Sequence, residues 1–227
     1  MLAVFDFDHT IVKDNSDIVA RNMIKPSNLI PDHKNYLNDW TQYMQQVFDT
    51  MKNINIPSKQ IIDAVSVMSP NKGMPRLMRA LNDNNIDIIV ASDSNSLFIH
   101  NWFERNKLSD VLSYVYTNSA KIEEGHITIK PYESQTLCDW CTKNMCKGAI
   151  IKEHILSTNK IYNKLFYFGD GKNDLCPVLK LNQNDIAFPR SGFVLDNLLK
   201  SHKTKATIIP WCTGDDIYEY LKSSKLI

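Results

Sequence analysis

The segment Leu2-Ala3-Val4-Phe5-Asp6-Phe7-Asp8-His9-Thr10-Ile11 decides the fold. Leu2 to Phe7, a short apolar run ending in acidic residues, reads as a buried parallel strand with functional groups at its C-terminal end. The same design returns twice. Ile86 to Ala91 stops at Ser92-Asp93, and Leu165 to Phe168 stops at Gly169-Asp170-Gly171. In open α/β sheets ligands collect at the carboxyl ends of strands, so the three ends are expected to meet at one site.

Between these strands the apolar spacing turns helical. Leu97 to Asn106, Gly148 to Leu156 and Leu175 to Leu181 suit crossover helices, which gives an α/β fold with a doubly wound, mainly parallel sheet. The stretch between the first two strands, about 60 residues, is too long for one crossover. It carries helical signals at Tyr36 to Met51, Ser58 to Met68 and Met74 to Leu81, punctuated by Pro26, Pro31, Pro57 and Pro70. It is read as a small helical cap inserted after the first strand. The expected division is a core of residues 1–16 and 83–227 and a cap of residues 17–82.

The 227 residues can bury a substantial core but are a tight fit for two independent domains. Apolar residues make up 43% and charged residues 22%, as in ordinary globular proteins. A net charge of +1 without a long basic run gives no reason to expect nucleic acid or an anionic membrane surface as a partner. The five apolar residues before Asp6 are too few for a signal-peptide core, and no run reaches the roughly 20 apolar residues of a membrane helix. A cytoplasmic location is the default expectation. Five cysteines, an odd number, agree with it, because they do not form a disulfide framework.

Asp6 and Asp8, two apart on an extended segment, point to one face if the strand continues regularly. Carboxylates at a strand end suit Mg²⁺, which needs one or two of them. An Asp-x-Asp pair by itself is more often a solvated turn, but surface turns seldom follow Leu-Ala-Val-Phe. In Gly169-Asp170-Gly171-Lys172-Asn173-Asp174 the glycines permit a tight turn around two further carboxylates. Four carboxylates at two strand ends repel one another unless a cation is present. Ser92 offers a hydroxyl and Lys147, opening a helix, a point charge, which is what phosphate oxygens require.

In this order the motifs resemble the haloacid dehalogenase superfamily of aspartate-nucleophile phosphatases, in its phosphoserine-phosphatase-like branch. Asp14-Asn15-Ser16-Asp17, Ser92-Asp93-Ser94-Asn95, Cys138-x-x-Cys141 through Asn144-Met145-Cys146-Lys147, Gly169 through Pro177, and Phe188-Pro189-Arg190 are similar to a narrower group. That group comprises the phosphoethanolamine/phosphocholine phosphatases and their pyridoxal-phosphate phosphatase relatives. The resemblance implies that Asp6 is the nucleophile and Asp8 the general acid and base, with Ser92, Lys147 and Asn173 on the phosphate oxygens. It further implies Mg²⁺ on the Asp6 carboxylate, the Asp8 carbonyl and Asp170, with Asp174 acting through water or neighbouring groups.

The substrate implied is a small phosphomonoester. The resemblance puts Asp17 and Asp93 in substrate-binding positions, where extra negative charge suits an ammonium, as in phosphoethanolamine or phosphocholine. Tyr36, Trp40, Tyr43 and Phe48 could add an aromatic wall, although such spacing is more often cap core. Pyridoxal 5'-phosphate is the alternative, since its ring could stack on that wall, and a catalytically silent scaffold is a remote one. Cys138, Cys141 and Cys146 fit either a structural Zn²⁺, a redox-sensitive loop or plain buried thiols. A zinc would need a fourth ligand from His126, Cys176 or Cys212. Oligomeric state has no sequence signal here.

Overall fold

A computed structural model describes residues 1–36 and 39–227 of the chain. Strand β1 (Leu2–Phe5) lies at the centre of a seven-stranded sheet. The others are β2 (Asp87–Asn95), β3 (Tyr114–Glu123), β4 (His126–Lys130), β5 (Leu165–Gly169), β6 (Ile186–Pro189) and β7 (Thr207–Ile208), in the spatial order β4-β3-β2-β1-β5-β6-β7. All neighbours are parallel except β3 and β4, which form an antiparallel hairpin at one edge. The chain winds outward from β1 through β2 and β3, then returns to β5 on the other side of β1. The carboxyl end of β1 is therefore the point where strand order reverses, the place where such sheets open a crevice.

Alternation along the strands divides the interior in two. Ala3, Phe5, Ile88, Val90, Phe166 and Phe168 face one core, while Leu2, Val4, Ile89, Ala91 and Tyr167 face the other. Phe5, Phe168 and Phe188 occupy one register row across β1, β5 and β6. Their rings stack at centroid distances of 4.1 and 4.8 Å. The second core is closed by α6 (Lys147–Thr158), α7 (Leu175–Leu179) and α8 (Val194–Leu199). The first is closed by α5 (Ser96–Arg105), α9 (Gly214–Ser223) and the helices that lie between β1 and β2.

Those helices are α1 (Ser16–Arg21), α2 (Trp40–Asn53), α3 (Ser58–Ser66) and α4 (Met74–Asp83). Helix α4 packs on β2 and α9, and α3 packs on α1 and α5. Helix α2 runs along the outer strand β4, where Gln45 accepts from the Ile129 amide at 2.8 Å. That side chain occupies main-chain groups of an edge strand that would otherwise be free to pair with another chain. The helix expected from Tyr36 starts at Trp40, where the Asp39 side chain caps it by accepting from Gln42 N at 2.9 Å. Tyr36 itself closes a short 3₁₀ turn, and Leu37 and Asn38 of that expected span lie outside the described residues.

Two strands depart from their expected ends. Strand β1 stops at Phe5, because Phe7–Ile11 forms a wide irregular turn closed by the Val12 amide on the Phe7 carbonyl at 3.1 Å. Strand β2 does not stop at Ala91 but runs to Asn95, with a bulge between Ser92 and Asn95 opposite Thr117 and Asn118. The Asn118 amide holds the bulge by donating to the Asp93 and Ser94 carbonyls at 2.6 and 3.0 Å.

Candidate active site

The site is assembled from the three strand ends. Asp6 follows β1 directly, and its amide donates to the Phe168 carbonyl at 2.9 Å, so the sheet itself fixes its backbone. One carboxylate oxygen of Asp6 accepts from the Phe7 amide at 2.6 Å, and the other meets Lys147 Nζ at 2.9 Å. Both oxygens are thus held before any ligand arrives. The turn that follows ends the regular strand before Asp8, whose own backbone stays extended at φ −65° and ψ 138°, and both carboxylates line one cavity. His9 sits there at φ +56°, a left-handed conformation that costs a non-glycine residue energy. Its carbonyl is tied down by Asn71 Nδ2 at 3.0 Å and by the Arg190 guanidinium.

Asp8 accepts from the Ser16 amide at 2.7 Å and the Ser16 hydroxyl at 3.1 Å, which anchors it to the start of α1. Desolvation pushes its carboxyl well above the ordinary value, with the nearby Asp17 adding to the rise. That favours the protonated form a general acid needs.

Asp174 is the most heavily bonded of these carboxylates. Its Oδ1 accepts from Lys147 Nζ at 2.8 Å and from the Tyr167 hydroxyl at 2.6 Å. Its Oδ2 accepts from the Asp170 and Gly171 amides at 3.0 and 2.8 Å. Gly169 makes room for this: a Cβ there would stand 2.5 Å from Asp174 Cγ, a carboxylate that four hydrogen bonds prevent from moving. Lys147 is fully buried between Asp6 and Asp174. Burial opposes its charge, but Asp174 and Asp6 outweigh burial and hold its pKa above the ordinary value.

The acidic oxygens of Asp6, Asp170 and Asp174 approach within 4.8 Å of one another. Burial, then repulsion from Asp6 and Asp174, pushes Asp170 up to about 8. Burial likewise pushes Asp6 up to about 6, against the pull of Lys147. Three buried carboxylates around a single ammonium leave an excess of negative charge, the environment that takes a divalent cation. The donor set fits Mg²⁺, which prefers carboxylate and carbonyl oxygen. Asp6 and Asp170 are the carboxylates placed for it. The oxygens of Asp174 already accept four hydrogen bonds, which suits a supporting role rather than direct ligation.

Ser92 is buried and borders the same cavity of about 230 Å³, which Asp6, Asp8, Trp40, Asp93 and Asn173 also line. Asp93 is fully engaged. Its Oδ1 accepts from the Thr142 hydroxyl and Asn144 amide, both at 2.9 Å, and its Oδ2 from Asn173 Nδ2. Asp17 is buried behind Trp40 and is not among the residues that line the cavity: Oδ2 accepts from Trp40 Nε1 at 2.7 Å, while Oδ1 has no partner among the described residues. Desolvation pushes Asp17 up to about 7. Among the aromatic residues, Trp40 borders the cavity, whereas Tyr43 and Phe48 are core.

Sequence reasoning passed over Tyr167, Asn71, Asn118 and Thr142. Tyr167 sits inside an apolar strand and reads as packing, although a buried tyrosine hydroxyl needs a partner. Asn71, Asn118 and Thr142 act through tertiary contacts and carry no local signal. The cysteines also resolve. The sulfurs of Cys138, Cys141, Cys146 and Cys176 lie within 4.8 Å of one another, so Cys176 joins the three expected thiols. Cys212 is exposed, and His126 is not part of the group.

A doubly wound sheet with an aspartate at its switch point, faced by a buried lysine and acidic loops, defines a phosphatase of the haloacid dehalogenase type. The chain belongs to the family described as "Putative Phosphatase", whose model matches residues 1–225. It is 34% identical over 237 residues to pyridoxal phosphate phosphatase PHOSPHO2 of Mus musculus, covering 98% of this chain and 97% of that protein. It is 28% identical over 237 residues to the phosphoethanolamine/phosphocholine phosphatase of Gallus gallus, covering 97% of this chain and 87% of that one. The fold is also that of a substrate-bound phosphoserine phosphatase, at a TM-score of 0.66 with 18% identity, covering 96% and 97% of the two chains. Among the described residues no helix is long and apolar enough to cross a membrane.

Proposed function

We propose that this chain is a Mg²⁺-dependent phosphomonoesterase working through an aspartyl-phosphate on Asp6. The observation that carries the proposal is the Asp6 carboxylate itself, held at the switch point between the Phe7 amide and the Lys147 ammonium. An oxygen of Asp6 forms a bond to phosphorus as the ester P–O bond breaks, and Asp8 gives its proton to the departing alkoxide. Asp8, now ionised, takes a proton from a water that attacks the same phosphorus. The bond to Asp6 breaks and phosphate leaves. Lys147, the Ser92 hydroxyl and Asn173 face the phosphoryl oxygens and stabilise the charge that gathers on them. Mg²⁺, held by Asp6, Asp170 and the Asp8 carbonyl, would screen the anionic nucleophile from the anionic substrate.

For the leaving group, the oxygen of Asp17 without a partner among the described residues, buried behind Trp40 at the cavity wall, supports a substrate bearing a cationic nitrogen. Asp93, with all its hydrogen bonds made, serves better as the anchor of the neighbouring loop than as a receiver of ammonium. Phosphoethanolamine and phosphocholine fit this description and the small cavity. Pyridoxal 5'-phosphate is the second reading, favoured by the higher identity to the mouse enzyme and by the flat face of Trp40. Free thiols throughout suit a reducing compartment such as the cytoplasm.

The test is turnover of all three esters with and without Mg²⁺, beside the Asp6→Asn variant. Activity should require the ion and fall by at least about three orders of magnitude in the variant. Retained activity in Asp6→Asn would overturn the mechanism, and the ratio of kcat/KM values ranks the substrates.

A further inference from the structure

Four cysteines from two separate segments converge on one point. Cys138 and Cys141 lie in residues 131–146, which form neither helix nor strand. Cys146 caps α6, and Cys176 lies in α7. Sulfurs on a tetrahedral zinc with bonds of about 2.3 Å stand about 3.8 Å apart. Cys146 Sγ and Cys176 Sγ are 3.8 Å apart, and all four sulfurs are within 4.8 Å of one another. We propose that Cys138, Cys141, Cys146 and Cys176 form a structural zinc site, separate in ligand chemistry from the carboxylate site that takes magnesium.

The surroundings fit an anionic thiolate cluster. Zinc displaces four thiol protons to solvent and leaves a net charge of about −2 on the ZnS₄ unit. The Lys180 ammonium is directed at Cys176, with Cys146 and Cys138 close by. The Ala149 amide at the start of α6, which donates to the Cys146 carbonyl at 2.9 Å, also lies close enough to the Cys146 thiol to favour its anion. Residue 148 is glycine where a Cβ would stand 2.9 Å from Cys176 Sγ and 2.8 Å from Lys180 Nζ, so this small residue permits the helix to approach the sulfurs.

The segment that supplies two of the ligands is anchored near its end by the buried Met145 and by the Glu133 amide on the Asn144 carbonyl at 2.9 Å, but its tip is not. Leu137 at its tip is 98% exposed. Its internal bonds converge on Gln135, whose amide donates to the carbonyls of Cys138, Cys141 and Thr142. A loop of this length without regular structure, and with an exposed tip, suits a clip. The ligand positions say what the clip holds. Cys146 immediately precedes Lys147, and Cys176 follows Asp174 by two residues, so one ion would fasten both halves of that buried pair. It would also fix Thr142 and Asn144, which bond Asp93 at the cavity wall. None of this depends on which phosphate ester is the substrate.

The test uses the full chain expressed with ample zinc and purified under reducing conditions. Elemental analysis should find about one zinc per chain, and exchange for Co²⁺ should give the visible bands of tetrahedral thiolate ligation. Cys176→Ser and Cys138→Ser should each lose most of the zinc and those bands, whereas Cys212→Ser keeps both. Cys138 is partly exposed, so its variant reports even if Cys176→Ser fails to fold. A zinc-free wild-type protein, a Cys138→Ser variant with undiminished zinc, or a disulfide among these cysteines as the stable form would each overturn the proposal.

Discussion

Asp17 shows how much a single acceptor can carry. It is buried, one oxygen serves Trp40, and the other has no donor among the described residues, so its charge is unfavourable until a cation arrives. Its folded pKa of about 7 lies above the ordinary 3.8, so between those values the folded chain binds the proton more tightly than the unfolded chain. Stability from this group is therefore greatest below about pH 4, falls as pH rises and is lowest above about pH 7. Asp17→Asn keeps the acceptor for Trp40 but removes the charge. In Mg²⁺-free protein it should raise unfolding free energy at pH 8 by up to about 4 kcal/mol, with most of the gain gone by pH 4. At the same time KM for phosphoethanolamine should rise about tenfold or more, the loss of roughly 1.4 kcal/mol of binding. Denaturation at the two pH values and steady-state kinetics check both halves. An unchanged KM would remove Asp17 from substrate recognition.

At the scale of elements, legibility followed burial. Strands β1, β2 and β5 are covered on both faces and read as continuous apolar runs, which is why three ends and their acidic residues could be placed without a structure. Strand β4, His126-Ile127-Thr128-Ile129-Lys130, does alternate polar and apolar residues with both isoleucines buried, a legible signal that is only five residues long; β3 has no clean alternation, β6 is four residues ending in a proline, and β7 has only two. The extension of β2 escaped for a different reason. Ser92-Asp93-Ser94-Asn95 has the composition of a loop, and only Asn118 from the next strand makes it a bulge. The packing of α4 against α9 was equally hidden. Gly73, at φ +77°, and Gly214 let the starts of these helices touch, with Gly214 N donating to the Lys72 carbonyl at 2.7 Å. A Cβ on Gly214 would stand 2.5 Å from Met74 N, a backbone atom that cannot step aside. Gly214→Ala should therefore cost about 1–3 kcal/mol, seen as a lower midpoint in urea with an unchanged slope. A midpoint equal to wild type would mean the two helices part easily.

For the whole molecule, the catalytic centre is a place where stability is given up for function. Sheet, helices and aromatic rows converge to hold Asp6, Asp170 and Asp174 together in a buried crevice, and burial, with mutual repulsion added, raises the first and second toward neutrality. A folded state that gathers such a site is favoured by whatever cation fills it, because the unfolded chain has no equivalent. Mg²⁺ at 100 times its Kd should add about 2.7 kcal/mol to unfolding, and the melting temperature should climb with each further increment of ion. Asp170→Asn separates the two consequences. Removing one carboxylate relieves repulsion, so without Mg²⁺ the variant should melt at or above the wild-type temperature. With one ligand gone, its melting temperature should no longer respond to Mg²⁺, and its phosphatase activity should be lost with that response. Thermal scans of both proteins across a magnesium series measure this directly. If Asp170→Asn retained the full magnesium response, Asp170 would not be a ligand, and the charge excess at the switch point would have to be balanced by groups other than this carboxylate.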